Sequence, residues 1–157
     1  MLSEYKRLFP SDDFGTLRFV WVGDFLIRAA VAGALIQTPQ RLHDGMLELA
    51  RDNARSFGAS LLGRSLFRLL SRDPKRLTQQ ATASTRQTTS YGRWSAEYPD
   101  SHTVVIKMKG EYVWIESYLK GACLGTYESL GQCSVEAELD DPFNGRLIVR
   151  WVDEDHS

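Results

Sequence analysis

Cysteine is scarce in this chain of 157 residues, which contains only Cys123 and Cys133. A small secreted domain held together by disulfides usually carries more cysteines. We therefore expect two free thiols and a reducing, cytoplasmic location. The spacing of the two cysteines does not resemble a zinc site and no histidine lies near them, so we predict no structural metal.

The motifs of several enzyme classes are also missing. No Walker motif occurs, no Gly-x-Gly-x-x-Gly follows a strand, and no Gly-x-Ser-x-Gly elbow is present. Residues 121–125 have an elbow-like spacing around Cys123, but they fall inside a predicted helix, where small residues favour helix packing. We predict a protein without catalytic residues or a bound cofactor. A cleft that joins His43 or His102 to carboxylates would instead favour an enzyme with a dispersed site.

Long apolar stretches free of charge are absent. The most apolar stretch, residues 19–36, contains Asp24 and Arg28, each of which costs about 2.5–3.5 kcal/mol near the centre of a bilayer. We therefore expect a buried helix and no membrane span. The net charge is only −1, so the whole chain has no strong attraction to nucleic acid or to an anionic membrane.

Material for a hydrophobic core is plentiful. Hydrophobic residues make up 43% of the chain, with four Trp, six Tyr and seven Phe, which is typical of a globular domain. We predict a single α+β domain over residues 1–157, with N-terminal helices packed on a small antiparallel sheet. Its parts are an N-terminal arm (1–16), a mainly helical region (17–92) and a hairpin–helix–hairpin region (93–152).

The helical region divides at its caps and glycines. Residues 17–22 are either a short strand or the entry to a helix over 23–36. Thr38-Pro39 is typical of a helix start, and that helix should end near Ala54, with a break or kink at Gly58. The next helix should cover 61–70 and direct four leucines toward the core: Leu62, Leu66, Leu69 and Leu70.

Polar residues dominate the next segment, and strands follow it. Asp73-Pro74 should begin a short helix. Residues 78–90 have too few apolar side chains to bury much, so we expect a solvated helix end or a mobile loop there. Strands over 93–98 and 103–109 should form a hairpin. A helix over 117–130, stopped by Gly131, should precede two closing strands, 134–139 and 146–152, that are joined by a turn ending in Asn-Gly.

Charge is unevenly distributed along the chain. Residues 51–93 hold nine basic and two acidic residues, whereas residues 128–157 hold eight acidic and two basic ones. We predict a basic face that binds phosphates or an acidic partner, formed by Arg64, Arg68, Arg72, Lys75, Arg76 and Arg86. Tyr91 and Trp94 could stack on bases beside it, so nucleic-acid binding is an alternative function.

Aromatic residues cluster where the helices should meet the sheet. In one interpretation they are core. In the other they line an apolar pocket that holds a small hydrophobic ligand, formed by Phe25, Phe67, Trp94, Trp114 and Tyr118. Either a small ligand or a protein partner suits a sensory or scaffold domain. Ala29 and Gly33 would let another helix, or a second copy in a homodimer, approach closely.

Soft motifs in the second half resemble a known family. Gly63-Arg64 opens a helix, Tyr91-Gly92 precedes a hairpin, and Lys120-Gly121-Ala122 lies in the late helix, before closing strands at 134–138 and 146–151. Together they resemble an uncharacterised protein family of myxobacteria. That family is similar to the four-vinyl-reductase domains, the haem-nitric-oxide-binding domains and the TRAPP vesicle-tethering subunits. The resemblance implies an α+β ligand-binding or docking scaffold, often dimeric, with no known reaction.

The chain departs from these relatives at their functional residues. The haem-binding relatives use a proximal histidine and a Tyr-x-Ser-x-Arg motif, and this motif is absent here. The four-vinyl-reductase relatives carry cysteine clusters, which this chain also lacks. The tethering relatives imply that Cys123 could accept an acyl chain.

Overall fold

The computed structural model describes residues 2–9, 21–69, 73–128 and 130–152. Within these ranges the chain forms helices in its first part and a helix-interrupted sheet in its second part. The helices are α1 (Leu2–Leu8), α2 (Val22–Ile36), α3 (Leu42–Ala59), α4 (Leu61–Leu69), α5 (Pro74–Thr88) and α6 (Lys120–Tyr127). The strands are β1 (Arg93–Glu97), β2 (Thr103–Lys109), β3 (Cys133–Asp141) and β4 (Asn144–Trp151).

The four strands form one antiparallel sheet in the order β1-β2-β4-β3. Alternate residues of β2 and β4 are buried on the face that carries the core, such as Ile106 opposite Leu147. This alternation follows from the two-residue period of a strand with one solvated face. The α+β prediction, with helices packed on a small antiparallel sheet, is therefore confirmed.

Helix α3 is the centre of the helical layer and approaches two neighbours through glycines. At its contact with α2, a Cβ on Gly45 would collide with the backbone of Gly33. At its contact with α6, a Cβ on Gly121 or Gly125 would collide with a carbonyl oxygen of α3. The small residues Ala29 and Gly33 thus allow a close approach of another helix of the same chain. Helix α6 in turn packs on β3 and β4.

An ion-pair cluster fixes the same two helices at their other end. Glu128, just after α6, pairs with the guanidinium of Arg51 and with Arg55 Nη2 at 2.8 Å. Burial opposes ionisation of Glu128, but hydrogen bonds and charge from the two arginines outweigh it, so its pKa is lowered. The carboxylate is therefore ionised when it clamps α6 to α3.

The boundaries of α3 differ from the sequence prediction. A 3₁₀ turn, Pro39–Arg41, follows Thr38 as expected, but α3 then runs to Ala59 rather than Ala54, and Gly58 lies inside it. The break comes at Ser60, whose hydroxyl donates to the Phe57 carbonyl (2.6 Å) and accepts from the Gly63 N–H (3.0 Å). Ser60 thus offers the backbone an alternative to continuing the helix.

The predicted orientation of α4 is wrong for two of its leucines. Leu62 and Leu69 are 65% and 79% exposed, and Leu61 beside them is 78% exposed. The helix packs on the end of α3 through Gly63, because only a residue without a side chain fits against the Phe57 carbonyl. The contact face is therefore set by backbone proximity and not by the leucine pattern. Leu70 lies outside the described residues.

Helix α5 continues through the polar segment to Thr88, which agrees with the helix-end alternative for residues 78–90 and not with a loop. Asp73 caps it by accepting from the Lys75 N–H at 2.8 Å. Hydroxyls along the helix bond back to carbonyls four residues earlier, such as Thr82 to Thr78 (3.0 Å) and Thr85 to Ala81 (2.9 Å). Thr78 is buried and shares a hydrogen bond with the Tyr127 hydroxyl, so this polar helix still contributes to the interior.

The second half matches the predicted order, with local differences. The late helix begins earlier, as a π-helical turn over Ile115–Leu119, and α6 ends at Tyr127. The closing hairpin turns at Pro142 and Phe143, and Asn144-Gly145 already belongs to β4. Most of the possible strand at 17–22 lies outside the described residues. None of the described helices is both long and apolar enough to cross a membrane.

A buried carboxylate joins the sheet to the segment that follows it. Glu111 is 2% exposed. It accepts hydrogen bonds from Trp94 Nε1 (2.8 Å) and the Val113 N–H (3.0 Å), and its own N–H donates to the Phe143 carbonyl at 2.8 Å. These contacts connect β1, the chain after β2, and the closing hairpin at one point.

The glycine contact between α3 and α6 gives the first prediction. In Gly125→Ala the new methyl would meet the Arg51 carbonyl and the Ala54 side chain, and overpacking of this kind costs about 1–3 kcal/mol. Urea denaturation should show that loss in the free energy of unfolding. Gly23→Ala is the matched control, since its Cβ meets no atom within 4 Å and alanine favours helix. A Gly125→Ala protein as stable as wild type would contradict this packing.

Glu111 gives the second prediction. Glu111→Ala leaves the N–H donors of buried Val113 and half-buried Trp94 without their acceptor, at about 1–3 kcal/mol for a fully buried unsatisfied group. Glu111→Gln keeps one acceptor oxygen and should lose about half as much. Thermal and urea unfolding would measure both losses. Glu97→Gln is the control, because its pairing with Lys107 is exposed and should contribute little. Equal stability of all three variants would refute the anchoring role.

Candidate functional site

A cleft of about 520 Å³ lies where three distant segments meet. They are the first turn of α3, the chain between β2 and α6, and the turn between β3 and β4. Its apolar lining consists of Tyr112, Trp114, Leu139, Pro142 and Phe143. Its polar lining consists of His43, Glu116, Asp140 and Asp141. A volume of this size is within the range of about 300–1,000 Å³ that holds small ligands.

Backbone hydrogen bonds hold two walls of this cleft together. After β2 the chain turns at Gly110, which has a positive φ of 64°, and the Gly110 N–H donates to Asn144 Oδ1 at 2.9 Å. The next residue, Glu111, bonds to the Phe143 carbonyl and to Trp94 as described above. The segment that carries Tyr112 and Trp114 is therefore fixed to the hairpin turn that carries Phe143.

The hairpin turn is shaped by Asp141. Its carboxylate accepts from the Phe143 N–H (2.8 Å) and from Asn144 Nδ2 (2.7 Å). The bond from Asn144, followed by that from Phe143, lowers the pKa of Asp141, so the group carries its charge at neutral pH. A register shift between Leu139 and Asp141 inserts Asp140 as an extra residue in β3. Bulges of this type redirect side chains next to binding sites.

Two aromatic rings of the lining remain half exposed. Tyr112 is 51% exposed and Phe143 50% exposed, and their ring centroids lie 5.7 Å apart at an interplanar angle of 72°. Tyr112 is supported from behind by Tyr91, at 5.3 Å between centroids. The rings are thus held in place by each other and by the anchored backbone, with apolar surface left open to a ligand.

His43 closes the cleft on the side of α3. Its Nδ1 lies 3.3 Å from Glu116 Oε1 and 3.2 Å from Ser117 Oγ. Ser117 is buried, whereas His43 and Glu116 are partly open to solvent. No three His, Cys, Asp or Glu residues of the described segments come together in a way that could hold a metal ion.

The five aromatic residues predicted to line an apolar pocket are distributed over the fold. Trp114 lines the cleft. Phe25 and Tyr118 pack edge to face at 5.1 Å between centroids, and burial raises the pKa of Tyr118. Trp94 packs against the core, and its indole N–H donates to Glu111, which in turn anchors the cleft wall. Phe67 lies half-buried on α4.

The predicted basic face lies on α4 and α5. Arg64, Arg68 and Arg76 are exposed, and Arg76 Nε lies 3.7 Å from Asp73. Lys75 is half-buried, with its ammonium 5.9 Å from the centroid of the Tyr98 ring. Arg72 and the side chain of Arg86 lie outside what the structure describes.

Sequence reasoning missed most of the cleft. The sequence patterns did not single out Tyr112 or Phe143, and they did not bring His43 together with Asp140 and Asp141. One signal was available. Phe143 is a large aromatic residue at the tip of a hairpin, where solubility alone favours polar residues, and exposed loops often carry binding residues.

The cysteine in the elbow-like segment is poorly suited to react. Cys123 packs against the core, and burial, with a smaller contribution from Cys133, raises the pKa of its thiol to about 12. Only the thiolate is a strong nucleophile. Gly121 and Gly125 face α3, so the helix-packing interpretation of this segment is confirmed.

Several solved structures share this fold. A Cs H-NOX mutant aligns over 96% of this chain and 85% of its own, with a TM-score of 0.66 and 13% identity. A structure concerned with haem redox potential and porphyrin distortion aligns over 94% and 87%, with a TM-score of 0.65 and 13% identity. The Fe(II) unliganded H-NOX protein from K. algicida aligns over 99% and 90%, with a TM-score of 0.52 and 11% identity. At these identities the likeness shows the fold alone.

Sequence comparison leads to a family without an assigned activity. No curated protein matches the chain. A family model described as protein of unknown function (DUF2378) matches residues 22–151, which is most of the chain. Together with the H-NOX-like fold, this match confirms the resemblance to an uncharacterised family and to the haem-nitric-oxide-binding fold, while the myxobacterial origin stays a prediction. The chain belongs to the DUF2378 family of proteins of unknown function.

Proposed function

We propose that this chain is a non-catalytic, sensory ligand-binding domain that holds a small molecule in the cleft between α3 and the closing hairpin. The half-exposed pair of rings, Tyr112 and Phe143, carries this proposal. Leaving apolar surface in water costs about 25 cal/mol per Å², and a concave wall of anchored aromatic rings is the usual lining of a ligand site.

Haem is not the ligand that these residues fit. His43, in the first turn of α3, is partly open to solvent and paired with Glu116 and Ser117. His102 is in the β1–β2 turn, beside Ser101 Oγ (2.7 Å) and the Trp151 ring. The third histidine, His156, lies outside the described residues. With no Tyr-x-Ser-x-Arg in the sequence, the proposal keeps the H-NOX-like scaffold and assigns it a ligand other than haem.

Catalysis is the main rival, because the cleft does join His43 to carboxylates. An acyl-transfer triad needs the nucleophile and the acid at opposite nitrogens of the imidazole. Here Glu116 and Ser117 both approach the same nitrogen, Nδ1, and the Ser117 hydroxyl is buried. Glu116 therefore cannot orient His43 toward Ser117, and the geometry favours binding over hydrolysis.

A second candidate function is protein docking through α4. Leu61, Leu62 and Leu69 are all well exposed, and Arg64 and Arg68 lie beside them on the same helix. An exposed apolar patch rimmed by polar residues marks a protein interaction site, whereas a nucleic-acid surface is more polar. We therefore favour an acidic protein partner or a second copy of the chain over nucleic acid for the basic face.

The cleft gives the third prediction. Native mass spectrometry with organic extraction, followed by thermal-shift screening, should identify a small molecule that raises the melting temperature. In Phe143→Ala its dissociation constant should rise at least about tenfold, since a lost aromatic contact is worth about 0.5–1.5 kcal/mol beyond its buried area. Trp21→Ala, which removes another exposed ring, is the control and should bind normally. Equal binding in both variants would disprove the site.

The α4 surface gives the fourth prediction. Light scattering should show a complex or dimer that Leu62→Ser with Leu69→Ser weakens at least about tenfold, because these apolar contacts are lost while folding contacts are kept. Lys107→Gln, which removes an exposed positive charge on β2 and outside the α4 surface, is the control and should leave the complex unchanged. A single protomer mass at all concentrations would count against the dimer. A gel shift at low salt that disappears at higher salt would support nucleic acid instead.

A further inference from the structure

We infer that the ligand of the cleft is an organic cation with an apolar body, such as a substituted ammonium compound. This inference rests on the proposed function and specifies its ligand. Three observations support it: the negative charge of the lining, the lack of a charged partner for one of its carboxylates, and the aromatic rings beside that carboxylate.

The lining is acidic and has no strong base. Glu116, Asp140 and Asp141 contribute carboxylates to a cleft lined by no lysine or arginine, and His43 is the one basic side chain of that lining. Asp141 is held ionised by the Asn144 and Phe143 bonds described above. A concave surface lined by negatively charged carboxylates attracts cations and repels anions.

The acidic residues near the cleft differ from those farther along the same strand. On β3, Glu136 Oε1 lies 3.1 Å from Arg150 Nη1, and Glu138 Oε2 lies 2.6 Å from Arg146 Nε. The side chain of Asp140, the next acidic residue, forms no hydrogen bond or ion pair with any residue of the described segments. The acidic pattern is therefore compensated within the sheet and left uncompensated where the strand reaches the cleft.

The aromatic lining decides between a metal ion and an organic cation. A hard metal ion needs several oxygen ligands at short range, and the described residues form no such group. Tyr112, Trp114 and Phe143 instead present apolar and π-electron surface, which attracts alkylammonium groups through cation–π and dispersion contacts. A cleft of about 520 Å³ also leaves room for an apolar body beyond the charged group.

Choline and 3,3-dimethylbutan-1-ol test this inference, because they differ only in a cationic nitrogen in place of a carbon. Calorimetry on the full chain should show choline binding at least about tenfold more tightly than the neutral alcohol. In Asp140→Asn the ratio of the two dissociation constants should fall by at least half. Glu138→Gln should keep that ratio, because Glu138 is already paired and does not line the cleft. Thermal unfolding of both variants would verify that they fold.

The outcomes separate the inference from the function on which it rests. Equal affinity for both compounds, with binding lost in Phe143→Ala, would overturn the cationic ligand and leave the ligand-binding function in place. Failure of choline to bind, together with a neutral compound recovered by extraction, would do the same. A preference for choline that survives in Asp140→Asn would also overturn the inference, since the carboxylate would then have no part in it.

Discussion

Close packing of α3 against α6 is the constraint on which the rest of the structure depends. Gly121 and Gly125 lie one turn apart on α6, so the two helix backbones meet without side chains between them. The Arg51, Arg55 and Glu128 cluster then fixes the far end of the same contact. Because interiors are close-packed and transmit strain, this spacing determines where the first turn of α3 lies relative to the chain that enters α6. That relation places His43 beside Glu116.

The elements were largely predictable from the sequence, because local patterns specify them. Asp73-Pro74 marked the start of α5, and alternating residues marked β2 and β4. The errors arose where a contact distant in sequence overrode a local pattern. The leucine spacing of α4 predicts a buried apolar face, but the backbone contact at Gly63 orients the helix differently. The polar sequence around Thr78 predicts a solvated segment. In the structure Thr78 is buried, because its hydroxyl bonds to Tyr127, 49 residues away.

The cleft was much less predictable than the fold. Its lining comes from residue 43, residues 112–116 and residues 139–143, and no local period links these segments. Even the charge of Asp140 had an ordinary explanation as a turn residue. The register shift, which leaves Asp140 without a paired residue on β4, separates it from Glu136 and Glu138, and no local sequence pattern marks that shift. Of the five predicted pocket residues, Trp114 lines the cleft because it directly precedes the π-helical turn.

The fold of this chain does not by itself determine which ligand it binds. The H-NOX-like scaffold brings several helices onto an antiparallel sheet, and here apolar side chains such as Met108, Ile115 and Leu147 fill the contact between them. A fold can retain its layers while its binding chemistry moves, since function depends on particular side chains and not on topology. The basic and acidic halves of the sequence illustrate the same point. The glutamates of β3 pair with arginines of β4, so the acidic charge of this strand is compensated except at the end that reaches the cleft. The uncompensated carboxylates therefore lie beside the half-exposed rings of Tyr112 and Phe143.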